Sequence, residues 1–334
     1  MLRPHRLAGL ALALAACAAL PRAELPAEPP RGAIRVDAGE LGECARRRDP
    51  VDLELDDAPI SPDLEHHLTQ VPAEILRIAG AAGIRRLLAE LLRARADTAS
   101  AAPLALQLQL VTRLSALEIE VASLLFEAQC VGNQMESTLR ELEGLQRRRE
   151  VALTVTSILV GAAAATAGGI WDLRGGDPRG PAALGIAGGA ASASLGLAAF
   201  LPERRAVVFP HPRNLLAPIA AGEDPDRLYP AFVFRLLAAR EVDGRPSPRE
   251  EILEDWSRIL ADLPSARRSA AEAVLYGGGG LYDARLVDVR ERMFDVLESH
   301  LNAIDHDLEL LYRYTARLVE AEAAAAAAPR PGAP

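Results

Sequence analysis

The sequence predicts a mainly α protein: an elongated antiparallel helical bundle or coiled coil with an apolar helical hairpin at one end. Of the 334 residues, 50% are hydrophobic but 4% are aromatic, so Ala and Leu supply most of the apolar surface, which favours helices over sheet. Two long segments carry apolar residues at alternating steps of four and three, as in coiled coils. Between them, residues 151–201 contain two apolar stretches that are joined by a polar turn and that carry no charge.

Residues 1–16 have the pattern of a secretory signal peptide, with a short basic start before an apolar run too short to span a bilayer. The run ends in Leu14-Ala15-Ala16-Cys17, which resembles the lipobox of bacterial lipoproteins. The resemblance implies that Cys17 is acylated and becomes the first mature residue. It also implies a periplasmic location, at the outer membrane because no aspartate follows the cysteine. An ordinary signal peptide that is cleaved near this cysteine is the alternative.

Residues 17–60 are predicted to form the lipidated N-terminus and a tether, because Pro, Gly, Glu and Arg dominate the segment without periodicity. The mature chain keeps two further cysteines, Cys44 and Cys130. In the oxidising space outside the cytoplasm, two such thiols can pair. A disulfide between the N-terminal arm and the long helix is one interpretation. Two unrelated buried thiols are the other, because sequence does not supply the distance between them.

Residues 61–150 are predicted to form helices that end in a long heptad helix. This helix begins at Pro103 and is predicted to end near Arg149. Polar residues between its apolar positions, including Glu120 and Glu127, are predicted to form a solvated face. The predicted seam consists of Leu110, Leu114, Leu117, Val121, Leu124, Ala128, Val131, Met135, Thr138, Leu142 and Leu145.

Residues 151–201 are predicted to form the hairpin, whose two arms would each be ~31 Å long as helices, close to the hydrocarbon thickness of a bilayer. Small residues recur at every fourth position, which lets helix backbones approach closely. The rows are Ser157, Gly161, Ala165 and Gly169 in the first arm, Gly185, Gly189 and Ala193 in the second, and beside the latter Gly188, Ser192 and Gly196. We expect helix packing or self-association through these rows. In composition and spacing the segment is similar to the glycine-zipper lipoproteins of bacterial envelopes.

Two segments are predicted to lie outside the long helices. Residues 202–246 are rich in Pro and Gly and should form an irregular cap. Within this cap we expect a short strand at residues 207–209 and a short helix at residues 230–240. Residues 327–334 should form a disordered tail.

Residues 247–326 are predicted to contain further helices and the second long helix. Ser247 and Glu250 have the spacing of a capping box that starts the first of them. The four glycines at 277–280 are predicted to act as a flexible hinge before the long helix, residues 281–322. The second seam consists of Phe294, Leu297, Leu301, Ile304, Leu308, Leu311, Thr315 and Leu318.

The functional class that we expect is a non-enzymatic cell-envelope lipoprotein with a structural, scaffolding or self-association role. The sequence lacks Gly-x-Ser-x-Gly, Cys-x-x-Cys, His-Glu-x-x-His and Rossmann motifs, so we expect no catalytic residues, cofactor or metal. The formal net charge of −9 argues against nucleic-acid binding. The expected partners are membrane lipid, a second copy of the chain through the hairpin, and an unidentified envelope protein.

Three alternatives stay open at the level of sequence. The layout resembles α-helical pore-forming toxins, which hold an apolar hairpin between long helices until it inserts. A wholly soluble bundle could instead use the hairpin as its core, because Ala and Gly favour membrane insertion less than Leu does. An enzyme would require a cluster of titratable groups with perturbed pKa values in a deep pocket.

Overall fold

A computed structural model gives the fold, which is mainly α as predicted. The predicted signal peptide, the predicted lipidation site Cys17 and most of the predicted tail lie outside the residues that the structure describes. The described residues are 34–36, 43–44, 55–96, 103–175, 177, 179–200, 206–240 and 243–327.

Helices of very different length make up the described chain. Small helices and a three-stranded sheet pack against the two long helices below the hairpin. The elements are β1 (Ile34–Arg35), α1 (Pro62–Glu65), a 3-10 turn (His66–Leu68), α2 (Ala73–Ala81), α3 (Arg85–Ala96), α4 (Pro103–Leu173), α5 (Arg179–Phe200), β2 (Ala206–Pro210), α6 (Leu216–Ala221), α7 (Ala231–Ala238), α8 (Pro248–Ala261), α9 (Ser265–Tyr276), β3 (Gly279–Asp283) and α10 (Ala284–Ala327).

The long helices α4 and α10 pack antiparallel, with Glu298 beside Gly132 and Thr315 on the same cavity wall as Leu110. The predicted seams are confirmed: their residues are buried, and Leu145 and Leu318 at the ends are partly exposed. Thr138, the polar member of the first seam, donates its hydroxyl hydrogen bond to the Gln134 carbonyl of its own helix. A hydroxyl satisfied in this way fits an apolar seam.

The predicted end of the long helix near Arg149 is wrong, because α4 continues without a break from Pro103 to Leu173. Its 71 residues correspond to a length of ~107 Å. After Pro103 the segment contains no proline, and the charged residues around Arg149 are good helix formers. The first arm of the predicted hairpin is therefore an extension of the bundle helix.

The predicted solvated face of α4 is also partly wrong. Glu120 is 3% exposed and Glu127 is 2% exposed. Arg213, which follows β2, donates from Nε to Oε1 of Glu127 over 2.7 Å. Heptad spacing identified the side that meets α10, but a chain segment 86 residues away covers a second side of the helix.

The sheet corrects the prediction that residues 17–60 form only a tether. Ile34 and Arg35 pair in parallel with Val207 and Val208 of β2. The pairing also confirms the predicted strand at residues 207–209, which lies within β2. Part of the N-terminal arm is therefore built into the body.

The predicted glycine hinge is wrong as well. Gly279 and Gly280 belong to β3, which pairs antiparallel with β2, so that α10 begins at Ala284 rather than at residue 281. Gly279 has a φ of 99°, and a β carbon there would overlap the carbonyl oxygen of Phe209. Glycine is needed here for close approach of two backbones rather than for motion.

Two local predictions are confirmed. The capping box at the start of α8 is formed, with the Ser247 side chain accepting from the Glu250 amide and the Glu250 side chain accepting from the Ser247 amide. The short helix predicted at residues 230–240 corresponds to α7. The capping box depends on residues within one turn of each other, which explains why sequence sufficed for it.

Candidate functional site: an exposed apolar hairpin and a pinned N-terminal arm

The hairpin consists of α5 packed antiparallel on the last third of α4. The Ser192 hydroxyl donates to the Ser157 carbonyl across the two helices at 2.8 Å. A β carbon added to Gly161 would lie 3.4 Å from Oγ of Ser192, and one added to Gly188 would overlap Cβ of Ala164. Small side chains therefore set the separation of the two helices, as in close-packed membrane helices.

The predicted rows of small residues divide between two faces. Ser157, Gly161, Gly188 and Ser192 lie at the contact between α4 and α5. The other row members face outward. The exposed ones are Ala165, Gly169, Gly185, Gly189 and Ala193. A β carbon added to Gly169, Gly185, Gly189 or the half-buried Gly196 would have no described atom of a neighbouring segment within 4 Å.

Within the chain, Gly188 and not Gly189 is the glycine that approaches the neighbouring helix closely. The expected self-association through the row of Gly189 stays a prediction. Gly188 and Gly189 belong to two rows that are offset by one residue, about 100° around a helix. Two rows so placed cannot both face α4. Within the chain the row that begins at Gly188 is the one that does.

The outer face of the hairpin is apolar and exposed. In the apolar segments of α4 and α5, 11% and 6% of the residues are buried. By length and composition these two helices could cross a membrane, which makes the hairpin compatible with membrane association. Within the described part of a single chain, the hairpin does not form a buried core. Within the hairpin, the large exposed apolar side chains are those of Val151, Val155, Ile158, Leu159, Ile170, Trp171, Leu173, Ile186 and Leu197.

Three hydroxyl groups on the outer side of the hairpin are satisfied by their own helices. Thr156, Thr166 and Ser194 donate to the carbonyls of Ala152, Ala162 and Ala190 respectively, over 2.7 to 2.8 Å. The backbone groups are satisfied within the helices, which is a requirement for a segment in hydrocarbon. The polar groups of the hairpin are thus compatible with an apolar surrounding.

Charged residues mark the two ends of the hairpin. Arg147 and Arg148 are exposed at its base, and Asp172 and Arg174 are exposed at its tip. Trp171 lies at the tip and is 50% exposed. Tryptophan at the end of an apolar span is typical of the interface between membrane and water.

The N-terminal arm is attached to α4 by a disulfide between Cys44 and Cys130, with a Cα–Cα distance of 5.7 Å. The two cysteines are 86 residues apart in sequence, and Cys44 is buried. Sequence had left this pairing open. Together with β1, the bond holds the arm at two points along the body.

A buried polar network in the body was missed by sequence reasoning. Arg290 is 1% exposed and donates to the Leu275 carbonyl at 2.9 Å and to Oδ1 of Asn214 at 3.3 Å. Asn214 in turn donates to the carbonyls of Leu275 and Gly277 at 2.8 Å each. A guanidinium at the C-terminal end of α9 is favoured by the helix dipole. The network therefore caps α9.

His211 and Tyr282 extend this network. Nδ1 of His211 lies 3.0 Å from the Gly277 carbonyl oxygen and donates to it, so Nε2 accepts from the Tyr282 hydroxyl at 2.9 Å. Burial, reinforced by the charge of Arg290, lowers the pKa of His211 to about 3. Burial also raises the pKa of Tyr282 to about 12. The neutral imidazole is a fixed bridge, and no spacing along the chain could have joined residues 71 positions apart.

The surroundings of this network offer little space for a substrate. The cavity beside His211 and Arg290 measures about 10 Å³, room for one water molecule. Within the described ranges, no group of three or more His, Cys, Asp or Glu side chains is placed to share a metal ion. What the arrangement does chemically is satisfy buried hydrogen-bonding groups and hold β2, β3 and α9 together.

No protein-family model, curated protein or solved structure matches this chain. Function is therefore inferred from the chain's own residues, and the exposed hairpin is their most distinctive feature.

Proposed function

We propose that this protein is a non-enzymatic cell-envelope lipoprotein whose α4–α5 hairpin enters a lipid bilayer, while the helical body forms a scaffold at the membrane surface. The observation that carries the proposal is that the two apolar segments of the hairpin carry no charge and their large apolar side chains face outward. Exposed apolar patches of this kind mark contacts with lipid or protein.

The dimensions of the hairpin support lipid as the surrounding. Residues 151–171 correspond to ~31 Å of helix, the thickness of the hydrocarbon core. Transfer of side chains such as Ile158, Leu159 and Ile186 from water into hydrocarbon is favourable in proportion to their exposed area. The charged tip and base would then lie in the two headgroup regions.

Self-association in the membrane is part of the proposal. The row formed by Gly185, Gly189 and Ala193 faces away from α4 and is exposed. In lipid such a row allows a second helix to approach closely, and association then depends on dispersion contacts between the backbones. A second copy of the chain is the partner that we propose for it.

The proposed location is the periplasmic side of the outer membrane, with an acyl anchor at Cys17. The lipobox at residues 14–17 and the apolar run before it support export and lipidation. The disulfide between Cys44 and Cys130 supports an oxidising compartment. With Cys17→Ser, we expect the precursor to stay unprocessed or the protein to lose its acyl group, measured by mass spectrometry of the N-terminal peptide.

The alternative of a pore-forming protein receives less support from the hairpin. A water-filled pore needs a polar lining, whereas the hairpin has no charged residue between its base and tip, and the hydroxyls of Thr156 and Thr166 bond to their own helix. Release of an encapsulated dye from vesicles would favour the pore. Insertion without release favours the scaffold.

Fluorescence of the two tryptophans tests insertion directly. Trp171 lies at the hairpin tip, whereas Trp256 is buried in the body, where its Nε1 donates to the Met293 carbonyl at 3.0 Å. Vesicles of brominated phospholipid should quench Trp171 and leave Trp256 unaffected. With Trp171→Phe the quenching should vanish. Unquenched fluorescence of the unsubstituted protein in the presence of these vesicles would refute the proposal.

A further inference from the structure

We propose that the hairpin and the N-terminal acyl anchor engage one and the same bilayer, because Ile34 is the hairpin-facing end of β1 and a short segment separates Cys17 from Ile34. This inference rests on the proposed membrane insertion of the hairpin. It adds a polarity to that proposal: the partner is a single lipid bilayer that meets the protein end-on, and the protein does not bridge two membranes.

The sheet gives the first indication of this polarity. β2 follows α5 in sequence and therefore starts near the base of the hairpin. It runs away from the hairpin, since Arg213, just beyond its end, contacts Glu127, which lies ~36 Å below residue 151 along α4. β1 pairs with β2 in parallel. Ile34 is therefore the hairpin-facing end of β1.

The position of the disulfide agrees with the direction of β1. Cys44, which follows β1 in sequence, is bonded to Cys130, which lies ~31 Å below residue 151 along α4. The described part of the N-terminal arm is therefore held below the hairpin, with Ile34 at the hairpin-facing end of its strand.

The length of the preceding segment favours the same membrane. The 17 residues from Cys17 to Ile34 span at most ~60 Å when fully extended. The part of α4 below the hairpin, residues 103–150, is ~70 Å long. A bilayer at the far end of the body would thus require most of this maximal length, whereas a bilayer around the hairpin lies on the side that Ile34 faces. Attachment at two points of one bilayer also makes the second contact intramolecular, which raises the overall affinity.

The chain offers a specific way to test this polarity. Of three cysteines, two are joined in the disulfide, so Cys17 provides the thiol for coupling a diacyl lipid maleimide to the mature chain. The coupled protein is first anchored in carrier vesicles and then mixed with an excess of second vesicles. Brominated phospholipid is placed in one population at a time.

We expect Trp171 fluorescence to be quenched when the carrier vesicles are brominated and to be unchanged when the second vesicles are brominated. Light scattering should show that the two vesicle populations do not cluster. Quenching by the second vesicles, accompanied by vesicle clustering, would overturn the shared-bilayer inference and leave hairpin insertion intact. If neither population quenches Trp171, the proposed function fails and the inference fails with it.

A variant that lacks the disulfide tests which contact sets the polarity. With Cys44→Ser and Cys130→Ser together, the described residues that still attach the arm to β2 are those of β1 and Val36, whose amide donates to the Val208 carbonyl. We expect quenching by the second vesicles to appear in this variant. If instead the variant behaves like the unsubstituted protein, the disulfide does not set the direction of the arm.

Discussion

At the residue scale, Gly188 and Gly189 show that a glycine can be required for helix packing while its neighbour in the same Gly-rich segment is not. They are neighbours in one helix, yet a β carbon on Gly188 would overlap Cβ of Ala164, and no described atom lies within 4 Å of the corresponding position on Gly189. Alanine is therefore a sharp probe, because the same methyl group meets a neighbouring helix at one site and open space at the other.

We expect Gly188→Ala to destabilise the hairpin by ~1–3 kcal/mol, the usual cost of overpacking. Gly189→Ala should be neutral or stabilise the helix by up to ~1 kcal/mol, because alanine has the higher helix propensity. Hydrogen exchange of the α5 amides measures both effects. Equal protection in the two variants would show that the contact with Ala164 does not determine the packing.

His211 makes stability depend on pH. Its pKa is lowered to about 3 in the folded protein and is ~6.5 in the unfolded chain. Between these values the unfolded chain binds the proton and the folded protein does not, so the free energy of unfolding falls as the pH drops below ~6.5. At pH 5 the loss from this histidine should reach ~2 kcal/mol.

The comparison of the unsubstituted protein with His211→Gln isolates this effect. Burial and neighbouring carboxylates raise the pKa of the Glu291 and Glu298 side chains. These shifts increase the free energy of unfolding as the pH falls, opposite to the effect of His211. Because both proteins contain these glutamates, the difference between the two proteins removes their contribution. Urea unfolding at pH 7 and pH 5 should show a smaller loss in the variant. The same loss in both would mean that His211 is not kept neutral by the fold.

At the element scale, the strand β3 shows how glycine serves pairing. Gly279 has a φ of 99° and meets the Phe209 carbonyl oxygen, whereas Gly278 has neither a positive φ nor a described atom within 4 Å of its β-carbon position. We expect Gly279→Ala to destabilise the protein by ~1–3 kcal/mol through strain and steric overlap. A lower midpoint of thermal unfolding would report this loss.

The neighbouring substitution Gly278→Ala is the matched control and should leave the unfolding midpoint nearly unchanged. If both variants behaved alike, the glycines would act as the hinge that their sequence indicates. The outcome therefore distinguishes a paired strand from a flexible connection between α9 and α10.

At the scale of the whole molecule, the disulfide between Cys44 and Cys130 closes a loop of 86 residues. A loop of this length should stabilise the fold by ~4–5 kcal/mol, chiefly by restricting the unfolded chain. Urea unfolding with and without a reductant measures the difference. In the variant with Cys44→Ser and Cys130→Ser, the reductant should have no further effect on the free energy of unfolding. If the reductant also had no effect on the unsubstituted protein, the expected stabilisation by the disulfide would be wrong.

The two long helices and the apolar hairpin could be predicted because their signals are local. The seam from Leu110 to Leu142 repeats every three or four residues, and periodicity of this kind specifies a buried helix face without reference to the rest of the chain. The capping box of Ser247 and Glu250 lies within a single turn. The rows of small residues in the hairpin were visible for the same reason.

Only the tertiary structure decided which of these residues meet. It placed Gly188 rather than Gly189 against α4, buried Glu127 under Arg213, and brought His211, Arg290 and the end of α9 into one network. It also continued α4 through the charged residues at 147–149 and paired Gly279 with a strand. These outcomes depend on groups many positions apart in sequence. Periodicity and composition describe a segment's own preferences, whereas burial and pairing are set by the segments that fold against it.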